Sequence, residues 1–223
     1  MAVMKYLFIL LITSLVSACQ SDPLSGENDP KSDQWSLEFT APIYMSGWVE
    51  ASLVEDINGH LLNHGTGGVI GSGSDDYGVE RELAKGWPRS LGGRVRDVRG
   101  ADLPKRVFVR WQSVVEQKTY RAWIDIPEEA RRIMYTSTHR RCAQTPDQEA
   151  RYMASMHLGL APGGIVQVWV RNECREQIKV TRAQAEFEPL GPSQGLTQGR
   201  YAHKIGEYSK RYIEKYGIPY GSW

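Results

Sequence analysis

The stretch MHLGLAPGGIVQVWV, residues 156–170, restricts the fold more than any other part of the chain. Met156, Leu158 and Leu160 alternate with polar or small residues, Pro162-Gly163-Gly164 supplies a turn, and Val166, Val168 and Val170 resume the alternation. Alternation of period two puts one apolar face on each strand, and a Pro-Gly turn folds the strands back on each other. A hairpin is therefore expected over 152–171. TPDQEARYMAS before it carries a capping-box pattern from Thr145 to Gln148, which leaves room for at most one helical turn.

The same pattern recurs along the chain. In WSLEFT, residues 35–40, Trp35, Leu37 and Phe39 face one way and Ser36, Glu38 and Thr40 the other, as in a half-buried strand. Ile43, Met45, Val49, Ala51 and Leu53 keep one phase, and Asn58-Gly59 then reads as a hairpin turn with positive φ at both residues. Residues 105–127 read as two strands about a turn near Glu116-Gln117-Lys118. Val107, Val109 and Trp111 share a face on the first strand, and Tyr120, Ala122, Ile124 and Ile126 on the second. Pro127 with Glu128 and Glu129 opens a short helix. In residues 176–189 the apolar phase slips between Val180 and Ala183, the signature of a β-bulge. Tyr208, Tyr212 and Tyr216, followed by Gly217 and Pro219, mark a terminal helix with its stop. Residues 64–78 and 86–104 are rich in Gly and read as irregular, with one short helical piece at VERELAKG, residues 79–86. The expected fold is mainly β: an antiparallel β-sandwich or strongly bent sheet built of hairpins, with one or two short helices including a C-terminal one.

The N-terminus is of another kind. Lys5 precedes an apolar run from Tyr6 to about Val16, too short to span a bilayer and shaped like a secretory signal. Val16-Ser17-Ala18 directly before Cys19 resembles the lipobox of bacterial lipoproteins. That resemblance implies cleavage before Cys19 and acylation of the cysteine. A plain signal peptide with a chance cysteine is the alternative. Gln20 rather than Asp after the cysteine implies, by the same resemblance, export to the outer membrane, facing the periplasm. The expected organisation is a signal peptide over 1–18, a lipidated Cys19 with a flexible tether to residue 34, and one β-rich domain over 35–223. Residues 20–34 hold almost no large apolar group, and a flexible tether of that length reaches roughly 20 Å.

Composition then excludes some functions. The chain has 27 Lys and Arg against 26 Asp and Glu, so loss of Lys5 balances the charge. Neutrality argues against nucleic acid as a partner. With Cys19 acylated, Cys142 and Cys174 remain, and an oxidising compartment favours their disulfide over two separate buried thiols. His60 and His64 lack the Glu of a zincin, Asp56-Ile57-Asn58-Gly59 lacks the distal ligands of a calcium loop, and the Gly-rich loop lacks the Lys-Ser or Lys-Thr of a phosphate loop. No metal, cofactor or catalytic residue is expected on these grounds. Trp48, Trp123 and Trp169 stand out because each sits on the polar phase of its strand. They are the expected binding surface, since Trp dominates binding hot spots. The alternative is that both faces of the sheet are covered.

Three blocks carry a family resemblance: ADLPKRVFVRWQSVVEQKTYRAWIDIP, LGLAPGGIVQVWV and the terminal YIEKYGIPYGSW. They resemble the bacterial lipoproteins grouped as domain of unknown function 2931, over about residues 34–223. The family implies no catalytic residues. It implies Gram-negative lipoproteins, some encoded beside lipase-like type VI secretion effectors, and hence a periplasmic immunity protein with a toxin as partner. An accessory lipoprotein that binds another envelope protein is the second expectation. A hydrolase whose Ser, His and acid meet only in space is the third.

Overall fold

The computed structural model describes residues 22–71 and 86–223. Cys19 and most of VERELAKG lie outside them. Among the described residues the strands are β1 (Trp35–Thr40), β2 (Gly47–Asp56), β3 (Leu61–Gly65), β4 (Gly68–Ile70), β5 (Arg94–Val98), β6 (Pro104–Ser113), β7 (Lys118–Asp125), β8 (Ser155–Ala161), β9 (Ile165–Arg171), β10 (Gln177–Gln184) and β11 (Glu186–Phe187). The helices are α1 (Glu128–His139) and α2 (Glu207–Tyr216). No described helix is long and apolar enough to cross a membrane.

The strands form two stacked sheets, so the fold is mainly β, as expected. One sheet runs β10-β9-β8-β1-β5, the other β11-β7-β6-β2-β3, with β4 continuing the β3 edge along β2. The pairing departs from a purely antiparallel scheme at one place: β1 lies parallel to β8, with Leu37 opposite Met156. The expected β8–β9 hairpin is present, and its inner residues Met156, Leu158, Leu160, Val166, Val168 and Val170 are all buried. They meet Val49, Val54, Val107, Val109, Trp111 and Ile124 of the other sheet in one core.

Several local readings change for identifiable reasons. In β2 the register slips at Glu50, so that Val49, Ser52 and Val54 point inward and Ala51 and Leu53 turn outward. An expected single phase from Ile43 to Leu53 is thus broken by a bulge. At the β2–β3 turn only Gly59 has positive φ. The buried Asp56 carboxylate organises that turn instead, accepting backbone N–H bonds from Asn58 and His60 at 2.9 Å and from Asp102 at 3.1 Å. Part of the segment expected to be irregular pairs as β4 and β5. The expected bulge in the last long strand lies between Lys179 and Thr181. That strand ends at Gln184, and after Ala185 the chain crosses to the other sheet as β11.

β1 is buried on both faces rather than half-buried. The outer face of the five-stranded sheet carries a second layer, in which α2, Trp87 and Trp223 pack with Tyr44, Met45 and Ala161. Tyr212 stacks on Tyr44 at 4.8 Å. Helix α1 sends Ala130 and Met134 into the main core. Residues 22–34, expected to hang as a tether, lie against the domain as far back as Asp22. Backbone hydrogen bonds and the Asp29–Arg141 pair hold them there, contacts that apolar content alone does not reveal.

Candidate functional site

The β2–β6–β7 register places Leu53, Phe108 and Trp123 side by side across the outer face of the six-stranded sheet. Trp123 is 41 % exposed, and the rings of Phe108 and Trp123 stand 5.4 Å apart. Ion pairs fence this row on both sides. On one side the Arg106 guanidinium lies 4.4 Å above the Trp123 ring while its Nε donates to Glu55 at 2.6 Å. On the other, Arg110 Nε donates to Glu50 at 2.7 Å. Glu50 also accepts from Gln112 and from the backbone N–H of Ser193. A cation fixed over an indole ring contributes about 0.5–1 kcal/mol at an exposed site and holds both side chains still. The result is an amphipathic surface, an exposed indole beside paired charges, suited to recognition.

The other two tryptophans of the expected surface do not join it. Trp48 shares the face but lies four residues farther along the β6 register, half-buried against His203 at 5.0 Å. The segment 188–206 covers that end of the sheet, with Ala202 N–H bonded to Gln112 and Tyr201 bonded through its hydroxyl to the Gln117 carbonyl. Trp169 belongs to the other sheet and is buried, which corrects its place in the binding surface. Its ring meets Trp87 edge-on at 5.1 Å, in room left by Gly159, where a Cβ would lie 2.6 Å from Trp87.

Beside Trp169 the structure assembles a polar cluster that no linear motif announced. Parallel pairing of β1 with β8 sets Glu38 opposite His157 and Ser36 opposite Ser155. His157 is fully buried, and burial together with the positive charges of Arg171 and Arg151 pulls its pKa down to about 4. Burial raises the pKa of Glu38. The geometry is not that of a nucleophile relay: Ser36 donates its hydroxyl to Glu38 at 3.2 Å. His157 Nδ1 stands 3.4 Å from Glu38 without hydrogen-bond geometry, and neither ring nitrogen has a partner. A signal existed only in the outward phase of β1 and β8, where Glu38 and His157 interrupt otherwise small residues.

Cys142 and Cys174 form the disulfide, with Cα atoms 4.7 Å apart, and tie the open end of the β8–β9 hairpin. The bond lines a shallow pocket of about 300 Å³ with Gln144, Gln148, Glu149 and Glu173. Among the described residues no group of three or more His, Cys, Asp or Glu could hold a metal ion. His60 is spent on Asp56, 3.2 Å from its carboxylate.

A family model described as Protein of unknown function (DUF2931) matches residues 20–221. The chain belongs to that family. No curated protein and no solved structure matches it. In this DUF2931 member the three blocks that carry the resemblance meet at one carboxylate. Glu116 of the first accepts Tyr120 and Tyr220 hydroxyls at 3.1 and 2.8 Å and the Gly163 N–H at 3.0 Å. Tyr220 comes from the terminal block and Gly163 from the Ala-Pro-Gly-Gly turn. These contacts latch the C-terminal block onto the turns of both hairpins.

Proposed function

We propose that this chain is a non-catalytic binding module, held by lipid on Cys19 at the periplasmic face of the outer membrane, that takes a protein partner on the Trp123 face. The finer form of the proposal is an immunity protein that captures a lipase-like effector of type VI secretion and covers its active site. The observation that carries the binding reading is the Leu53–Phe108–Trp123 row: an exposed aromatic held by a cation and fenced by charges already paired within the sheet. Such a surface needs no ordering when a partner arrives, which lowers the entropic cost of association. The closed Cys142–Cys174 bond agrees with an oxidising compartment. The closed, unrelayed Ser36–Glu38–His157 cluster supports the non-catalytic reading over a hydrolase.

The test is competition between sister cells. Deleting the gene is expected to make cells sensitive to siblings that deliver the effector, and wild-type protein but not Trp123→Ala is expected to restore resistance. In binding assays Trp123→Ala should weaken the partner by at least about 30-fold, the size of a hot-spot loss. Unchanged survival of the deletion strain would sink the immunity reading. Partner affinity untouched by Trp123→Ala would remove the Trp123 face from the binding reading.

A further inference from the structure

The docking of residues 22–34 bears on how the domain meets a membrane. Gly26 N–H donates to the His139 carbonyl and Arg141 N–H to the Leu24 carbonyl, both at 2.7 Å, and Ser32 N–H donates to Tyr152 at 2.6 Å. The Asp29 carboxylate takes Arg141 Nε and Nη2 at 3.0 and 2.7 Å and the Ala150 N–H at 2.7 Å. Gly26 fits so tightly that a Cβ there would lie 2.6 Å from the Ala150 Cβ. The N-terminal segment is therefore part of the folded body, fastened to the last turn of α1 and the residues after it. Asp22 is itself 3.8 Å from Arg140.

Chain length does the rest. Three peptide steps separate Cys19 from Asp22, and at 3.8 Å per step they span at most about 11 Å. A lipid on Cys19 thus keeps the bilayer beside the C-terminal end of α1. We propose that a phospholipid surface lies against the α1 stripe of Arg132, Tyr135 and His139 and against Arg140 just beyond it, so that the domain sits on the membrane in one orientation instead of swinging on a leash. This rests on the lipid anchor proposed above. Arg132, Tyr135 and His139 follow helical spacing and share one face, and Arg140 is the extended residue that ends the helix. Tyr135 is 56 % exposed and stacks on His139 at 3.7 Å. The Arg132 and Arg140 side chains are 71 % and 51 % exposed. A tyrosine ring suits the headgroup layer, and arginine stems lie along apolar surface while their heads stay in water. Of the first-turn acids, Glu129 lies beside the stripe, 3.8 Å from Arg132. Because Asp22, Glu27 and Asp33 offset the local bases, the contact is set by chain length rather than by a basic patch.

The experiment uses the full, acylated chain in phosphatidylethanolamine–phosphatidylglycerol vesicles that contain a lipid with a nitroxide on its headgroup. A fluorophore is placed at Tyr135→Cys or, for comparison, at Leu196→Cys, 87 % exposed on the segment over the six-stranded sheet. Flotation with the vesicles reads the anchor. Quenching reads the orientation, and it is expected to be severalfold stronger at position 135 than at 196. Gly26→Leu, which levers the segment off, or Asp29→Asn, which weakens its clamp, should bring the two positions together. Failure to float overturns the anchor and this placement with it. Flotation with equal quenching at both positions overturns the placement alone, as does quenching at 135 that neither variant alters.

Discussion

At the scale of single residues, buried polar side chains decide more than the exposed ones. His157 has no hydrogen-bond partner, and its pKa lies at about 4 against an ordinary value near 6.5, through burial and then the charges of Arg171 and Arg151. Below pH 6.5 the unfolded chain takes a proton that the folded chain refuses until about pH 4. Stability is therefore expected to fall by about 3 kcal/mol across that window and to level off below it. Glu38 works the other way: its raised pKa lets the folded chain take a proton first, which offsets part of the loss at the acid end. Urea unfolding at a series of pH values, with His157→Gln beside the wild type, checks this. The variant should lack the slope between pH 6.5 and 4, and an unchanged slope would refute the assignment. Asp56 is the complementary case. Burial raises its pKa, yet the N–H donors of His60, Asp102 and Asn58 outweigh burial and hold it below the usual carboxylate range. Asp56→Ala strands those donors and should cost about 2–3 kcal/mol of unfolding free energy. Neither role was legible in the chain. An Asp before Asn-Gly looks like turn chemistry, and a His between apolar residues gives no sign of what its ring faces.

At the scale of elements, what could be read was local. The hairpins β6–β7 and β8–β9, α1, α2 and the bulge near Val180 are all written in neighbouring residues: alternation, a turn, a cap, a slipped phase. What escaped needs a partner far along the chain. Strand β5, RVRDV, is a short edge strand whose pairing with β1 is its only claim to regular structure. Parallel pairing of β1 with β8 joins segments more than a hundred residues apart, and no pattern inside either one selects it. The site follows the same division. The exposure of Trp123 depends on its own strand, whereas the burial of Trp169 depends on the distant Trp87 that packs against it. That contact gives a direct check at Gly159, where a Cβ would stand 2.6 Å from Trp87 and 2.7 Å from Trp169. Gly159→Ala is expected to cost about 1–3 kcal/mol by forcing the two indoles apart. Near-ultraviolet circular dichroism, which reports fixed indole packing, should change with it. A variant of wild-type stability and spectrum would mean that the layer gives way freely.

At the scale of the whole molecule, the first and last described segments act as straps over the sandwich. The N-terminal one runs along the end of α1 through the Asp29–Arg141 pair. The C-terminal one covers the outer face of the five-stranded sheet. Trp223 is buried there, its carbonyl takes Arg182 Nη1 at 2.7 Å, and Ser222 bonds the Gly86 N–H at 3.0 Å. Glu116 joins this strap to the β6–β7 turn through Tyr220 and to the β8–β9 turn through Gly163. The terminal block YIEKYGIPYGSW is thus a structural clasp. Two variants separate the clasp from the proposed binding face. Glu116→Ala removes the acceptor for two hydroxyls and one backbone N–H and should lower unfolding free energy by about 2–4 kcal/mol. Loss of residues 218–223 removes Ile218 and Trp223 from the second layer and should lower it further, with a matching drop in the thermal midpoint. Partner affinity, measured well below the unfolding temperature, should stay within about twofold in Glu116→Ala, because Trp123 pairs with Phe108 toward the other end of the β6–β7 hairpin from the turn that carries Glu116. A large loss of affinity without a loss of stability would move the recognition surface from the Trp123 face to the clasp.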